Sequence, residues 1–371
     1  MRHHELEEQC RHARNQPGPW TVYTDWLLDH GDVEGELAAL RQNGKVTEAE
    51  QLFEAHAVAM GWSVDIARRV RQLSWTYGFL SSVGFRRHDE RGDDFGSGLD
   101  HLTRDVLSLP CARFVDSIRF GPPGDLTNYG EYDGAGDWTA TMEVVAASAQ
   151  APWMRELVFD YSDYDGVAGG AFSFAFGDFS AAWSRLPRLE RLFIDSGASG
   201  RLGELELPSL RTFSFSSRFD IASEDVDSIC DAHWPSLEYL ELSFDCDSRY
   251  HGPDACRALD RILSGEALPA LEHLRLHLWP RALFGDVIGA LGRSAILPRL
   301  RSLELSTAPI DRAMIDAFVL HSAAFRHLDF IALTSNDLST PAEFRASLCR
   351  ALPNFRSDVP DSSESFDLSA P

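Results

Sequence analysis

Apolar positions along the second half of the chain recur in one phrase, a proline-marked turn followed by Leu-x-x-Leu-x-Leu. LPRLERLFI begins at Leu186, LPSLRTFSF at Leu207 and LPALEHLRL at Leu268, and WPSLEYLEL at Trp234 and LPRLRSLEL at Leu297 belong to the same series. Alternating apolar and polar residues after the first leucine are the mark of a strand with one face buried. Between these phrases lie segments with helical spacing: LDHLTRDVLSLP, TATMEVVAASAQ, EDVDSICDAH, ACRALDRILSG, DVIGALGRSA, IDRAMIDAFVLHS and PAEFRASLCRALP. One strand-plus-helix unit cannot bury its apolar face alone, so repeated units must stack. The pattern predicts an α/β solenoid, with parallel strands on the concave side and helices on the convex side.

Taken at its first leucine-like position, the strand phrase starts at Leu80, Val115, Met154, Leu189, Leu210, Leu237, Leu271, Leu300 and Phe325. Spacing runs from 21 residues (Leu189 to Leu210) to 39 (Val115 to Met154), an irregular repeat of the longer, ribonuclease-inhibitor-like kind. The period of two then turns the third, fifth and seventh positions of each phrase away from the core. That rule nominates a binding face made of Val158 and Asp160; Arg191, Phe193 and Asp195; Tyr239 and Glu241; His273, Arg275 and His277; and His327 and Asp329. Glu156, Thr212, Ser214, Ser216, Ser243, Ser302, Glu304 and Ser306 fill the same columns. Phe193 and Tyr239 beside Arg275 match the composition of binding hot spots.

The first 74 residues read as helical. In PGPWTVYTDWLLDHGD, Trp20, Tyr23 and Leu27 fall on one helical face, with Val22 and Trp26 beside them, and Gly31 ends the run. VEGELAALRQNG makes a second helix with Gly44 as its stop, and Thr47-Glu48-Ala49-Glu50 has the form of a capping box opening a third that runs through LFEAHAVAMGW. These residues also carry a resemblance. DWLLDHGDVEGELAALR resembles the repeat-companion domain of bacterial leucine-rich-repeat proteins, through Tyr23, Asp25, Trp26, Leu27, Gly31, Asp32, Gly35, Glu36 and Leu40, with Thr24 in place of the usual alanine. LSWTYGFLSSVGF is similar to the junction by which such proteins enter their repeats. The resemblance implies a helical repeat-companion module over 1–74 followed by a leucine-rich-repeat solenoid over 75–356; the strand phrase counts about nine repeats there, and the acidic tail over 357–371 is too poor in apolar residues to fold. It implies an architecture and no particular reaction.

Charge narrows the partners. Lys and Arg number 34 against 57 Asp and Glu, a net −23, which repels phosphate backbones and argues against nucleic acid as a partner. No run reaches the ~18 apolar residues a membrane span needs, and the start, MRHHELEEQC, has no apolar signal core, so membrane is excluded as a partner and the cytoplasm is the expected location. His3 and His4 read as mobile surface residues. The six cysteines, Cys10, Cys111, Cys230, Cys246, Cys256 and Cys349, form no C-x-x-C pair and read as reduced thiols. Segments 86–98 and 121–138 are turn-rich and charged and predict surface loops. The insertion from Asp160, DYSDYDGVAGGAFSFAFGDF, predicts either aromatics packed back on the solenoid or an aromatic binding lip.

Dinucleotide, phosphate-loop, Gly-x-Ser-x-Gly and His-Glu-x-x-His motifs are missing. His273, His277 and His327 with Asp329 offer metal-ligand or general-base chemistry. Spacing argues against a shared metal, since residues four apart on a strand lie ~13 Å from each other while zinc–nitrogen bonds are ~2.1 Å. Asp160 and Asp195 form the other conceivable pair, readable as solvated acids. No cofactor and no metal are expected, and no catalytic residue is assigned. The favoured function is a non-catalytic scaffold that binds a protein or peptide on the concave face. An enzyme or peptide-modifying accessory protein with a histidine-containing site there, and an acidic inhibitor of a basic enzyme, stand as alternatives.

Overall fold

The computed structural model describes residues 2–85, 98–121, 137–160, 175–196, 200–217, 222–245, 259–279, 284–307, 312–335 and 348–356. The chain forms two compact units, one of Met1–Ala168 with Ala181–Leu189, the other of Gly169–Ser180 with Glu190–Pro371. The insertion beyond Asp160 lies outside the described residues up to 174, as do most of the two turn-rich segments, the tail from 357, Cys246 and Cys256.

The first unit opens with helices α1 (His4–His12), α2 (Pro17–Asp29), α3 (Val33–Gln42), α4 (Val46–His56) and α5 (Val64–Arg69). Trp20, Tyr23 and Leu27 of α2 are buried as their spacing predicts, and Val22 is exposed. Gly31 and Gly44 follow α2 and α3 at φ +68° and +73°, the left-handed conformation that lets a chain leave a helix without a Cβ clash. Gly35 has a packing role: a Cβ there would lie 2.7 Å from Leu27 Cβ, so its absence lets α3 press against α2. Two helix starts depart from expectation. Helix α4 begins at Val46, capped by the Lys45 backbone and not by a side chain, which places Thr47 inside the first turn and removes the capping box. His3 is half-buried, accepts the Leu6 N–H at the start of α1 and meets Trp26 edge-on at 5.2 Å, so it is part of the packing.

Strand β1 (Val70–Thr76) pairs antiparallel with β2 (Phe79–Phe85), and β3 (Ser117–Phe120) and β4 (Glu156–Phe159) follow in parallel, with α6 (Leu99–Ser108) and α7 (Thr139–Ala147) between successive parallel strands. Cys10, Trp20, Tyr23, Leu27, Ala38, Phe79 and Phe114 form one core, so the helices and the first strands bury their apolar faces in each other.

The second unit carries β5 (Arg191–Ser196), β6 (Thr212–Ser217), β7 (Tyr239–Asp245), β8 (His273–Trp279), β9 (Ser302–Thr307), β10 (Phe330–Ser335) and β11 (Phe355–Arg356). These strands are all parallel and neighbour one another in chain order. Helices Ser223–Asp231, Phe284–Arg293 and Arg312–Leu320 and the helical residues 259–264 fall at the predicted connectors. Each phrase is buried at its first, fourth and sixth positions, as in Leu189, Leu192 and Ile194 or Leu237, Leu240 and Leu242. Each such leucine contributes ~1.5–3 kcal/mol through burial, and this is the force that holds the strands in line. Phe176 and Phe179, from the end of the insertion, are fully buried and Phe176 meets Phe215 at 5.9 Å, so these two aromatics do pack back.

Candidate functional site

One sheet face of the second unit is left half-buried by the leucines that fill the other. Strand pairing sets its side chains in three rows. Arg191, Thr212, Tyr239, His273, Ser302 and Phe330 form the first; Phe193, Ser214, Glu241, Arg275, Glu304 and Ala332 the second; Asp195, Ser216, Ser243, His277 and Ser306 the third. Parallel strands ~4.8 Å apart bring side chains within a row into contact.

The middle row holds the charge. Arg275 lies 3.4 Å from Glu241 and 3.5 Å from Glu304, one carboxylate on each neighbouring strand. Burial works against the Arg275 charge, but Glu241, Tyr239 and Glu304 together outweigh it and hold the guanidinium above its ordinary range. Glu304 shows the opposite balance, since its own burial pushes the carboxyl up and Arg275 only partly restores it. The Tyr239 hydroxyl donates to Glu241 at 3.2 Å and the Ser214 hydroxyl reaches the same oxygen at 3.1 Å. Tyr239 is therefore a half-buried member of a polar network on this face, its phenol held protonated by burial and by Glu241.

His273 pairs with Ser302 at 2.7 Å. Burial, aided by Arg275, pushes His277 below its ordinary value, which keeps it neutral at pH 7. Among the described residues no group of three or more His, Cys, Asp and Glu side chains is arranged to hold a metal ion.

His327 and Asp329 do not belong to this face. Strand β10 starts at Phe330 opposite Ser302, so its phrase begins at Leu328 and not at Phe325. His327 sits in the preceding turn, exposed, with its ring nitrogens at 3.0 Å from Ala324 O and 2.7 Å from Leu297 O. Asp329 is exposed and pairs with Arg301 at 3.1 Å. In the first unit, Val158 is buried and Asp160 pairs with Arg119 at 3.2 Å. Glu304 and Ser214, which sequence reasoning set in the same columns without naming them among the binding residues, are members of the network. The signal for Glu304 was the alternation Glu241, Arg275, Glu304 at equivalent positions of successive phrases.

The fold is thus α/β, a mostly parallel sheet with helices in the connections and an N-terminal helical region. Among the described residues no helix is long and apolar enough to cross a membrane. No family model and no curated protein sequence matches the chain. Among solved structures, the chain is similar to a protein of Bacteroides fragilis, with a TM-score of 0.56 and 17% identity over 84% of this chain and 82% of that one. At that identity the likeness concerns the fold.

Proposed function

We propose that the chain is a leucine-rich-repeat solenoid fronted by a repeat-companion module, and that it acts as a non-catalytic scaffold binding a protein or peptide on the half-buried sheet face. The observation that carries this reading is the row Phe193, Ser214, Glu241, Arg275 and Glu304, which spans five parallel strands and combines an aromatic with charges of both signs. A face pinned from behind by leucines is rigid, and rigidity lowers the ordering cost of binding. The recurrent Leu-x-x-Leu-x-Leu phrase and the strand order support the repeat assignment, and the residues Tyr23 to Leu40 support the companion module.

The test is capture from source-cell lysate followed by mass spectrometry, using wild type, a Phe193→Ala/His277→Ala double variant on the face, and Val319→Ser on an exposed helix position. Circular dichroism verifies that each variant is folded. Partners retained by wild type and Val319→Ser but lost by the face variant support the reading. Identical partner sets in all three overturn it.

A further inference from the structure

The first unit contains a pocket remote in character from that face. It is lined by Arg11, Arg14, Arg113 and Arg155, with Asp116 as its one carboxylate and with Trp20, Phe114 and Trp153 among its walls. Four arginines lining one pocket with a single carboxylate, approached by Arg14 and Arg155, contrast with a chain whose net charge is −23.

The charges are not equivalent. Arg113 is fully buried and already engaged, with both Glu34 oxygens accepting from it and Glu7 at 3.6 Å. Arg14 meets Asp116 at 2.6 Å, and Arg155 stands 3.9 Å from the same oxygen. Arg11 has no carboxylate within ion-pair distance among the described residues. One of its terminal nitrogens donates to Arg113 O at 2.9 Å, its Nε is buried without an acceptor, and its guanidinium lies 5.6 Å and 5.4 Å from the Phe114 and Trp153 ring centres. Ring faces attract a cation, yet they accept none of its N–H bonds. A half-buried guanidinium with no carboxylate in ion-pair range is costly unless an anion pairs with it.

We propose that this pocket binds a small oxyanion, a single carboxylate or phosphate group, through the Arg11 guanidinium. Bidentate pairing with a planar or tetrahedral oxyanion is what a guanidinium fork does best, and the aromatic walls hold the fork in place. The same chemistry is offered by free phosphate and by the carboxylate of an acidic peptide, so both kinds of probe are needed.

Thermal unfolding of the full chain would be followed at fixed ionic strength against increasing inorganic phosphate or acetate, with chloride making up the balance. Ligand that binds only the folded state raises Tm with the logarithm of its concentration. The expected result is such a rise in phosphate, acetate or both, with its onset moved at least tenfold higher in concentration by Arg11→Met. The more effective probe identifies the oxyanion. Arg14→Gln, at a half-buried position of the same pocket, supplies a second variant should Arg11→Met not fold, and it too is expected to weaken the effect. Equal Tm in phosphate, acetate and chloride overturns the proposal, as does a rise left unchanged by these substitutions, which would report only general salt exclusion.

Discussion

The carboxylate of Asp225 accepts the backbone N–H of Leu202 at 2.7 Å, tying a strand-free stretch to the helix Ser223–Asp231. Burial raises the Asp225 pKa, and the N–H groups of Leu202 and Gly200 only partly offset it. A carboxyl whose folded value lies above its unfolded value of ~3.9 binds its proton more tightly in the native state. Stability therefore falls as pH rises from that value through the folded one. Asp225→Asn keeps an acceptor and removes the charge. In urea titrations it should equal wild type near pH 3 and exceed it above the transition. Asp225→Ala leaves the Leu202 N–H buried without a partner and should cost ~1–3 kcal/mol throughout.

Arg113 is the sole guanidinium meeting both Glu7 and Glu34 among the described residues. Arg113→Met should destabilise the protein by ~3–5 kcal/mol, because the buried Glu7 and the half-buried Glu34 lose their counter-charge. Glu34→Gln should cost less, since Glu7 still faces Arg113. Guanidinium chloride unfolding at pH 7 measures both.

Removing Arg275 leaves Glu241 and Glu304 on the same row without a cation between them. Arg275→Met should lower stability by ~1–3 kcal/mol at pH 7, the range for stranding charged partners away from water. Glu304 would then titrate further above its already raised value. Protonation of Glu304 relieves its repulsion with Glu241, so the deficit should shrink as pH falls towards 4. A deficit constant between pH 4 and 7 would show that the loss is one of packing.

Tyr77 and Gly78, at φ 48° and 86°, form the two-residue turn between Thr76 and Phe79. A Cβ on Gly78 would sit 2.4 Å from Ala38 Cα, against backbone that cannot step aside. Gly78→Ala should cost at least ~2 kcal/mol through strain and overpacking combined. Differential scanning calorimetry would register it as a lowered Tm.

Much of this architecture was legible from periodicity. Val115, Met154, Leu189, Leu210, Leu237, Leu271 and Leu300 each precede a strand by two residues, and the helical connectors fall where their spacing put them. Leucines at the first, fourth and sixth positions are local information, because a strand's period of two holds wherever its partner lies. The face residues Arg191, Phe193, Asp195, Tyr239, Glu241, His273, Arg275 and His277 followed from the same rule.

Around Phe325 that rule has two solutions. Phe325, Leu328 and Phe330 satisfy the phrase, and so do Leu328, Ile331 and Leu333 three residues on. Only pairing with β9 selects the second, which buries Ile331 and Leu333 and turns His327 and Asp329 out of the face. The arginine pocket was illegible for the same reason. Arg11, Arg14, Arg113, Asp116 and Arg155 have no common spacing, and packing of the helices on the first strands brings them together. Sequence by itself determined the leucine-like positions that strands β5 to β9 bury, since these depend on the chain's own period. Tertiary structure decided strand register and the meeting of distant charges, since both depend on the backbone that each segment packs against.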